Sequence, residues 1–471
     1  MRRLPPMPAF ALAFALAVGP AAAAETPGAQ WKTVSPESAG WSRAKLDAAS
    51  AYASTLQTAA VMVIHQGRVV YERGDVAKPF PCHSMRKSIL SALYGPHVAS
   101  GRIDLDRTLA ALGLDDNEPS LTDVEKRATI RHLLQARSGI YHTALYESAD
   151  MTASKPPRGS HPPGEFWHYN NWDFNALGTV FESLTGRSLY EEFEDRLAVP
   201  LGMQDFVRAE HTGYVTGQQS VHRAYPFVLS ARDLARFGLL MLRRGRWGDR
   251  AILPESWIDE STGTYSDGRG GEGYGYMWWT MQKGAALWGA GVPPGTYSAH
   301  GYRGHLLYVI PAWDVVVVHR VDTFGDTDRV SKIAFLRLLG RLMEARPSSL
   351  KLEVPPWVPP GEIVARRLEE LARQHPGEVY RLTDRSGEEE QLLVLHWKSD
   401  DTGVLIGPVG GDVETMRIRQ VDRNGEAFRL ELEGRGTHLT ALGRHRGDTI
   451  EGVTYHGIET VWRWEGALVR P

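Results

Sequence analysis

The run Cys82-His83-Ser84-Met85-Arg86-Lys87-Ser88-Ile89-Leu90-Ser91-Ala92-Leu93-Tyr94, closed by Gly95-Pro96, decides how the rest of the chain is read. From Ser84 to Tyr94 the pattern is helical and apolar on most sides, which predicts a buried helix ending at Gly95-Pro96. A serine at the head of such a helix shares a face with a lysine three residues on. There an unprotonated lysine can take the serine proton, and burial depresses a lysine's pKa enough to favour that form. The Ser-x-x-Lys spacing alone is weak, because it occurs three times, as Ser42/Lys45, Ser84/Lys87 and Ser348/Lys351. Ser42 lies in a polar N-terminal segment and Ser348 follows Pro347, so only the Ser84 setting hides its lysine. Cys82, the chain's single cysteine, has two readings: a cysteine nucleophile, or the preferred one, a small buried residue at a strand-to-helix corner.

Upstream, Ala60 to Arg73 alternates around a Gln66-Gly67 turn and predicts a β-hairpin. Downstream, Tyr169-Asn170-Asn171 is the sole Tyr-x-Asn. It follows Pro162-Pro163-Gly164 in a turn-rich stretch, where Tyr169 can serve as a second acid/base and Asn171 as a donor to a bound carbonyl. Helical signals dominate residues 100 to 290, at Ile130 to Ala136, Asn175 to Leu184 and Ala231 to Leu242, the last opened by the capping-box pattern Ser230-Ala231-Arg232-Asp233. Strand signals return at His305 to Ile310 and Val315 to Val321, followed by a helix from Arg329 to Glu344. The expected fold is α/β (α+β): an antiparallel sheet built from both ends of a core at 30–348, flanked by helices and interrupted by a mainly helical insertion. Pro355-Pro356-Trp357-Val358-Pro359-Pro360 marks a stiff linker at 349–374. Short β-like runs at Gln391 to Trp397, Met416 to Val421, Phe428 to Leu432 and Val461 to Trp464, with an Asn424-Gly425 turn, predict a separate all-β barrel or sandwich at 375–471.

The chain has 471 residues, 42% hydrophobic and 23% charged, enough for two or three domains with a sizeable core. A net charge of -3 without any Lys/Arg-rich block excludes nucleic acid as an expected partner. Arg2 and Arg3 ahead of the apolar run Ala9 to Val18, then Ala22-Ala23-Ala24, read as a signal peptide at 1–24, with the mature chain beginning near Glu25 in the periplasm or medium. The run is too short to span a bilayer, and no later segment is long and apolar enough, so no integral membrane segment is expected after its removal. A single cysteine provides no internal disulfide. Without a His-Glu-x-x-His or a cysteine cluster, no metal is assigned, and no cofactor is expected.

Ser-x-x-Lys heading a buried helix and then Tyr-x-Asn, in that order, resembles the serine beta-lactamase and penicillin-binding protein superfamily. The resemblance covers about residues 35 to 345. It extends to His132-Leu133-Leu134 with Ser138-Gly139, to Tyr274-Gly275-Tyr276-Met277-Trp278-Trp279 and to Gly301-Tyr302-Arg303-Gly304-His305. Along Tyr169-Asn170-Asn171-Trp172-Asp173-Phe174-Asn175 it is most similar to the branch of 6-aminohexanoate-dimer hydrolases and related esterases.

The resemblance implies Ser84 as nucleophile, Lys87 and Tyr169 as the groups that move protons, and an oxyanion hole from the amides of Ser84 and Tyr302. It also implies a third motif, Lys-Thr-Gly or His-x-Gly, on an edge strand facing the nucleophile. His211-Thr212-Gly213 matches in letters but precedes a helix with no strand pattern around it. Ala299-His300-Gly301 stands where the family places the element, with alanine where many relatives carry lysine, His300 one residue out of register and Gly301 allowing close backbone approach. Arg303 is an alternative source of the missing cation. Tyr141 and His142 are candidates for the site's border, and Trp278 and Trp279 for either acyl-pocket lining or core. The expected activity is hydrolysis of short esters or small linear amides through a covalent acyl-enzyme, with a small-molecule substrate and an open oligomeric state. Beta-lactamase or D-alanyl-D-alanine peptidase is the runner-up, and a non-catalytic binding protein on the same fold is a further alternative. An alpha/beta-hydrolase is disfavoured because no serine here sits in a Gly-x-Ser-x-Gly elbow.

Overall fold

The computed structural model describes residues 25–351, apart from 149–150, 153, 269–271, 282–284, 288–289 and 326–327. It also describes 378–469, apart from 385–390, 399–401, 410–411, 434–437 and 457–458. The leader read at 1–24 and the proline-rich stretch at 355–360 lie outside the described residues.

The core is one antiparallel sheet of eight strands: β1 Thr58–His65, β2 Arg68–Gly74, β3 Ser266–Asp267, β4 Gly273–Tyr274, β5 Trp279–Met281, β6 Thr296–Gly301, β7 His305–Ile310 and β8 Val315–Val321. Their order is β2-β1-β8-β7-β6-β5-β4-β3, so the first hairpin pairs with the last strand across the long insertion. Both faces of the central strands are covered, which is why β1, β7 and β8 read as continuous apolar runs. Ala60, Met62, Ile64, Ala299, Leu307 and Val316 point to one face and join the core under helices α2 (Met85–Ala99), α3 (Asn171–Thr185) and α4 (Ala231–Leu242). Val61, Val63, Leu306, Tyr308 and Val317 point to the other, against α1 (Arg43–Ser54) and α5 (Lys332–Glu344). The β1–β2 turn has Gln66 at φ 54° and Gly67 at φ 78°, the left-handed pair that matches the twist of a two-residue hairpin.

Helix ends depart from the sequence reading for local reasons. Helix α2 runs to Ala99, through Gly95-Pro96 instead of stopping there. Gly95 lies so close to Trp257 that a Cβ would fall 2.5 Å from the indole, and Trp257 Nε1 donates to the Ser91 carbonyl at 2.8 Å, one residue before the Ala92 carbonyl whose ladder donor Pro96 removes. Tertiary enclosure therefore outweighs the breaker. Helix α3 begins at Asn171, before the expected Asn175, because Asn170 caps it by accepting from the Trp172 amide at 3.2 Å. Ser230 accepts from the Asp233 amide at 3.1 Å as expected, but the Asp233 carboxylate turns to the amides of Gln204 and Asp205, so only half of the capping box forms.

The C-terminal region is a closed antiparallel barrel: β9 Glu378–Asp384, β10 Gln391–Trp397, β11 Gly403–Val409, β12 Asp412–Asn424, β13 Ala427–Glu433, β14 His438–Arg446, β15 Thr449–His456 and β16 Glu459–Leu468. The pairing of β9 with β16, from Tyr380↔Leu468 to Asp384↔Trp464, closes it and decides between barrel and sandwich. No helix among the described residues is long and apolar enough to cross a membrane.

Candidate active site

Ser84 is the N-cap of α2, on a corner that the end of β8 holds from behind. Arg320, fully buried on β8, donates from Nη2 to the carbonyls of Phe80 at 2.6 Å and Pro81 at 3.0 Å. Just past the strand, Thr323 Oγ1 lies 2.8 Å from His83 Nε2 and 3.1 Å from His305 Nε2. His83 adopts φ 47°, a left-handed conformation rare outside glycine that persists because these contacts fix it. Cys82 is buried, and burial pushes its thiol pKa up, so it matches the packing reading and not that of a nucleophile. Neither Arg320, in an ordinary strand pattern, nor Thr323, just past it, carries a sequence signal for this role, since each stands some 240 residues from its partner in the chain.

One turn along α2, Lys87 Nζ lies 2.8 Å from Ser84 Oγ and 2.6 Å from the Tyr169 hydroxyl. Lys87 is 2% exposed, between the rings of Tyr169 and Phe174, at 4.4 and 4.8 Å. Burial holds its pKa well below the usual lysine range; the neighbouring Arg86 adds to this and Glu147 opposes it. A neutral amine in contact with both hydroxyls is the arrangement a serine needs to lose its proton.

The Tyr169-Asn170-Asn171-Trp172-Asp173-Phe174-Asn175 run explains itself in three dimensions. Asn170 Nδ2 donates to the Ile140 carbonyl and to Asp173 Oδ1, Asn171 Nδ2 donates to the Tyr146 carbonyl, and Asn175 Nδ2 donates to the Leu145 carbonyl. Asp173 Oδ1 also accepts from Ser138 Oγ, and burial drives that carboxyl well above the ordinary aspartate range. Four polar side chains of α3 and its cap thus staple the 138–147 loop. Asn171, expected to donate to a bound carbonyl, donates from Nδ2 to the Tyr146 carbonyl. The density of Asn and Asp within an otherwise apolar helix was the available signal. Tyr141 is 8% exposed and packs edge-on against His161 and His168. His142 lies 3.7 Å from Glu125, on the structural side of the loop.

Ala299-His300-Gly301 ends β6, which pairs with β7 on one side and β5 on the other. Pairing with β5 stops at Ser298, so the last three residues run past it and present a locally free edge within an interior strand. A Cβ on Gly301 would lie 2.6 Å from the Cys82 carbonyl, which brings the start of the Tyr302 segment against the corner that carries Ser84. Ala299 faces the α2 side and is 1% exposed. His300 points the other way, 2.9 Å from Ser298 Oγ, and stacks on Trp279 at 5.1 Å. Trp279 in turn stacks on Tyr169 at 5.8 Å, whereas Trp278 is fully buried against Phe237 and Tyr297. The tryptophan pair therefore divides, one residue at the site and one in the core. Tyr302 is 54% exposed, and Arg303 sits in the left-handed region at φ 63°. His211-Thr212-Gly213 lies on a short helix and its exit, away from the main sheet.

A helix-capping Ser-x-x-Lys against an eight-stranded antiparallel sheet, with a tyrosine hydroxyl completing the contact, defines a beta-lactamase-like hydrolase class. The Beta-lactamase family model matches residues 45–341, and the chain belongs to that family. An uncharacterized protein of Alkalihalophilus pseudofirmus is 22% identical over 314 residues, covering 60% of this chain and 89% of its own. Among solved structures, a putative 6-aminohexanoate-dimer hydrolase from Bacillus anthracis is 21% identical with a TM-score of 0.48, covering 63% of this chain and 80% of its own. The octameric penicillin-binding protein homologue from Pyrococcus abyssi is 16% identical with a TM-score of 0.49, covering 90% of this chain and 99% of its own.

Proposed function

We propose that the protein is an exported serine hydrolase that cleaves short esters or small linear amides through a covalent acyl-enzyme. The observation that carries this is the contact of one buried lysine amine with both Ser84 Oγ and the Tyr169 hydroxyl. Ser84 Oγ attacks the substrate carbonyl carbon while its proton passes to neutral Lys87. The negative charge that develops on the carbonyl oxygen is taken by the amides of Ser84 and Tyr302, fixed in advance. Collapse breaks the bond to the alcohol or amine, which leaves with a proton relayed through Tyr169. Water, losing a proton to the same pair, then attacks the acyl carbon, releases the acid and returns Ser84 to its starting state. The leader at Arg2 to Ala24 supports export to the periplasm or medium.

Substrate class follows from what β6 lacks. Ala299 offers no cation or hydroxyl to a substrate carboxylate, and a charge-assisted hydrogen bond there is worth about 1.5 to 3 kcal/mol. That is roughly one to two orders of magnitude in binding or rate. His300 is turned toward Ser298 and Trp279, which supports the view that it does not replace the missing group. The test is a panel of short-chain esters, linear amides, D-alanyl peptides and a chromogenic cephalosporin. Ester turnover with weak or no cephalosporin turnover is expected; efficient cephalosporin hydrolysis with no esterase activity would overturn the reading in favour of a beta-lactamase.

A further inference from the structure

Next to Lys87 in the chain is a second buried cation that the steps above do not use. Arg86 is fully buried; its Nη2 donates to Asn175 Oδ1 at 3.0 Å, while Nε and Nη1 have no hydrogen-bond partner among the described residues. No described carboxylate pairs with it. The guanidinium lies 4.1 Å from the Tyr225 ring centre and 5.7 Å from that of Tyr146, contacts that favour a cation without neutralising it. Glu147, the acidic group on the adjoining loop, is engaged by Lys155 at 2.7 Å. Asp173 on α3 is held by Ser138 and Asn170, and Tyr169 contacts Lys87 itself. An unpaired buried cation is expensive, and an apolar side chain would fill the same space at lower cost. Its presence asks for a function.

We infer that Arg86 is a positioning residue for acyl transfer: its uncompensated guanidinium, one residue from Lys87 in the same buried helix, forces the proton off the lysine. Two adjacent cations in a dry interior repel, and one must give up its charge. Guanidinium does not release a proton in proteins, whereas a lysine ammonium does so readily when buried. The lysine therefore yields and becomes the acceptor that Ser84 requires. The inference rests on the acyl-transfer reading of Ser84 and Lys87. Burial of Lys87 acts in the same direction, and Glu147 acts against both.

The experiment follows the rate at which a fluorophosphonate labels Ser84 in the full-length protein between pH 5 and 9. Arg86→Gln is expected to slow labelling about tenfold at pH 6, the effect of roughly one unit in the lysine's titration, and to leave the rate at pH 9 within about threefold of the parent. Glu147→Gln removes the opposing charge and is expected to quicken labelling at low pH. A uniform loss at every pH in Arg86→Gln would mean that the arginine only packs the helix, and would overturn the inference. Should Arg86→Gln fail to fold, the Glu147→Gln profile decides: an unshifted acid limb overturns the electrostatic account. Failure of the parent to label at Ser84 would instead sink the acyl-transfer reading beneath it.

Discussion

Ser84, Lys87 and Tyr169 were legible because each depends on a short spacing placed in a buried helix or just before one. Of the three Ser-x-x-Lys pairs, only Lys87 is enclosed, while Lys45 reaches out to the Glu344 carbonyl in an exposed bond. Ser84→Ala is therefore expected to abolish both ester turnover and phosphonate labelling, while Ser42→Ala and Ser348→Ala leave both nearly intact. Mass spectrometry of the labelled peptide checks this, and label persisting in the Ser84 variant would remove it as nucleophile. Tyr169 touches Lys87 through its hydroxyl, whereas its ring packs against Phe174 and Trp279. Tyr169→Phe keeps that packing, so the variant should melt near the parent temperature yet turn over about two to four orders of magnitude more slowly. An unchanged rate would take Tyr169 out of the mechanism. The contacts of Asn171 with Tyr146 and of His300 with Ser298 were not legible for one shared reason: a motif letter fixes where a residue stands in the chain, but not which side of a strand or loop its side chain takes.

At the scale of elements, the first hairpin and strands β7, β8 and β10 were legible almost to the residue, because apolar runs and the Gln66-Gly67 turn are local signals. By contrast, β12 and β16 extend well past the stretches read for them, and β3, β4, β5, β9, β11, β14 and β15 carried no strand signal that was read. Helix boundaries at Ala99 and Asn171 were missed because Trp257 and the cap at Asn170 decide them, and neither follows from periodicity. Strand β8 carries the least legible work, since its polar residues reach several other segments. His319, fully buried on it, has Nδ1 2.6 Å from the Gly304 carbonyl and Nε2 3.0 Å from Thr58 Oγ1, so the neutral ring donates to one and accepts from the other. Burial lowers its pKa to about 4. An unfolded chain with an ordinary histidine binds more protons than the folded one between pH 6.5 and 4, so stability is fully present above that window and is lost as the pH falls through it. The loss from this residue reaches roughly 3 kcal/mol by pH 4. Urea denaturation of the parent and of His319→Gln, a neutral residue able to donate and accept, should show a shallower acid slope in the variant. Equal slopes would show that the ring does not titrate with unfolding.

For the molecule as a whole, the question is whether the sheet-and-helix core and the barrel fold as separate units. The change from helical to all-β patterning past the prolines was visible in the sequence, but closure of the barrel was not, because it depends on pairing β9 with β16, from Asp384↔Trp464 to Tyr380↔Leu468, across the whole length of the barrel's chain. The buried clusters bear on independence. The two clusters around the main sheet draw their buried residues from Trp41 through Ala345, and the barrel draws its own from Tyr380 through Trp464. Among the described residues, 25–351 and 378–469 thus bury apolar surface in clusters of their own, which is the physical condition for a domain able to fold alone. Lys87, Tyr169, Arg320 and Thr323 all belong to residues 25–351. A fragment ending near Leu350 is expected to be soluble, to unfold cooperatively within a few degrees of the core transition in the full chain, and to label at Ser84 at a similar rate. Truncation should act, if at all, on which esters are accepted, read as a change in KM across the panel with labelling unchanged. An insoluble or unlabelled fragment would mean that the two regions form one cooperative unit, and that the barrel contributes to holding the nucleophile corner.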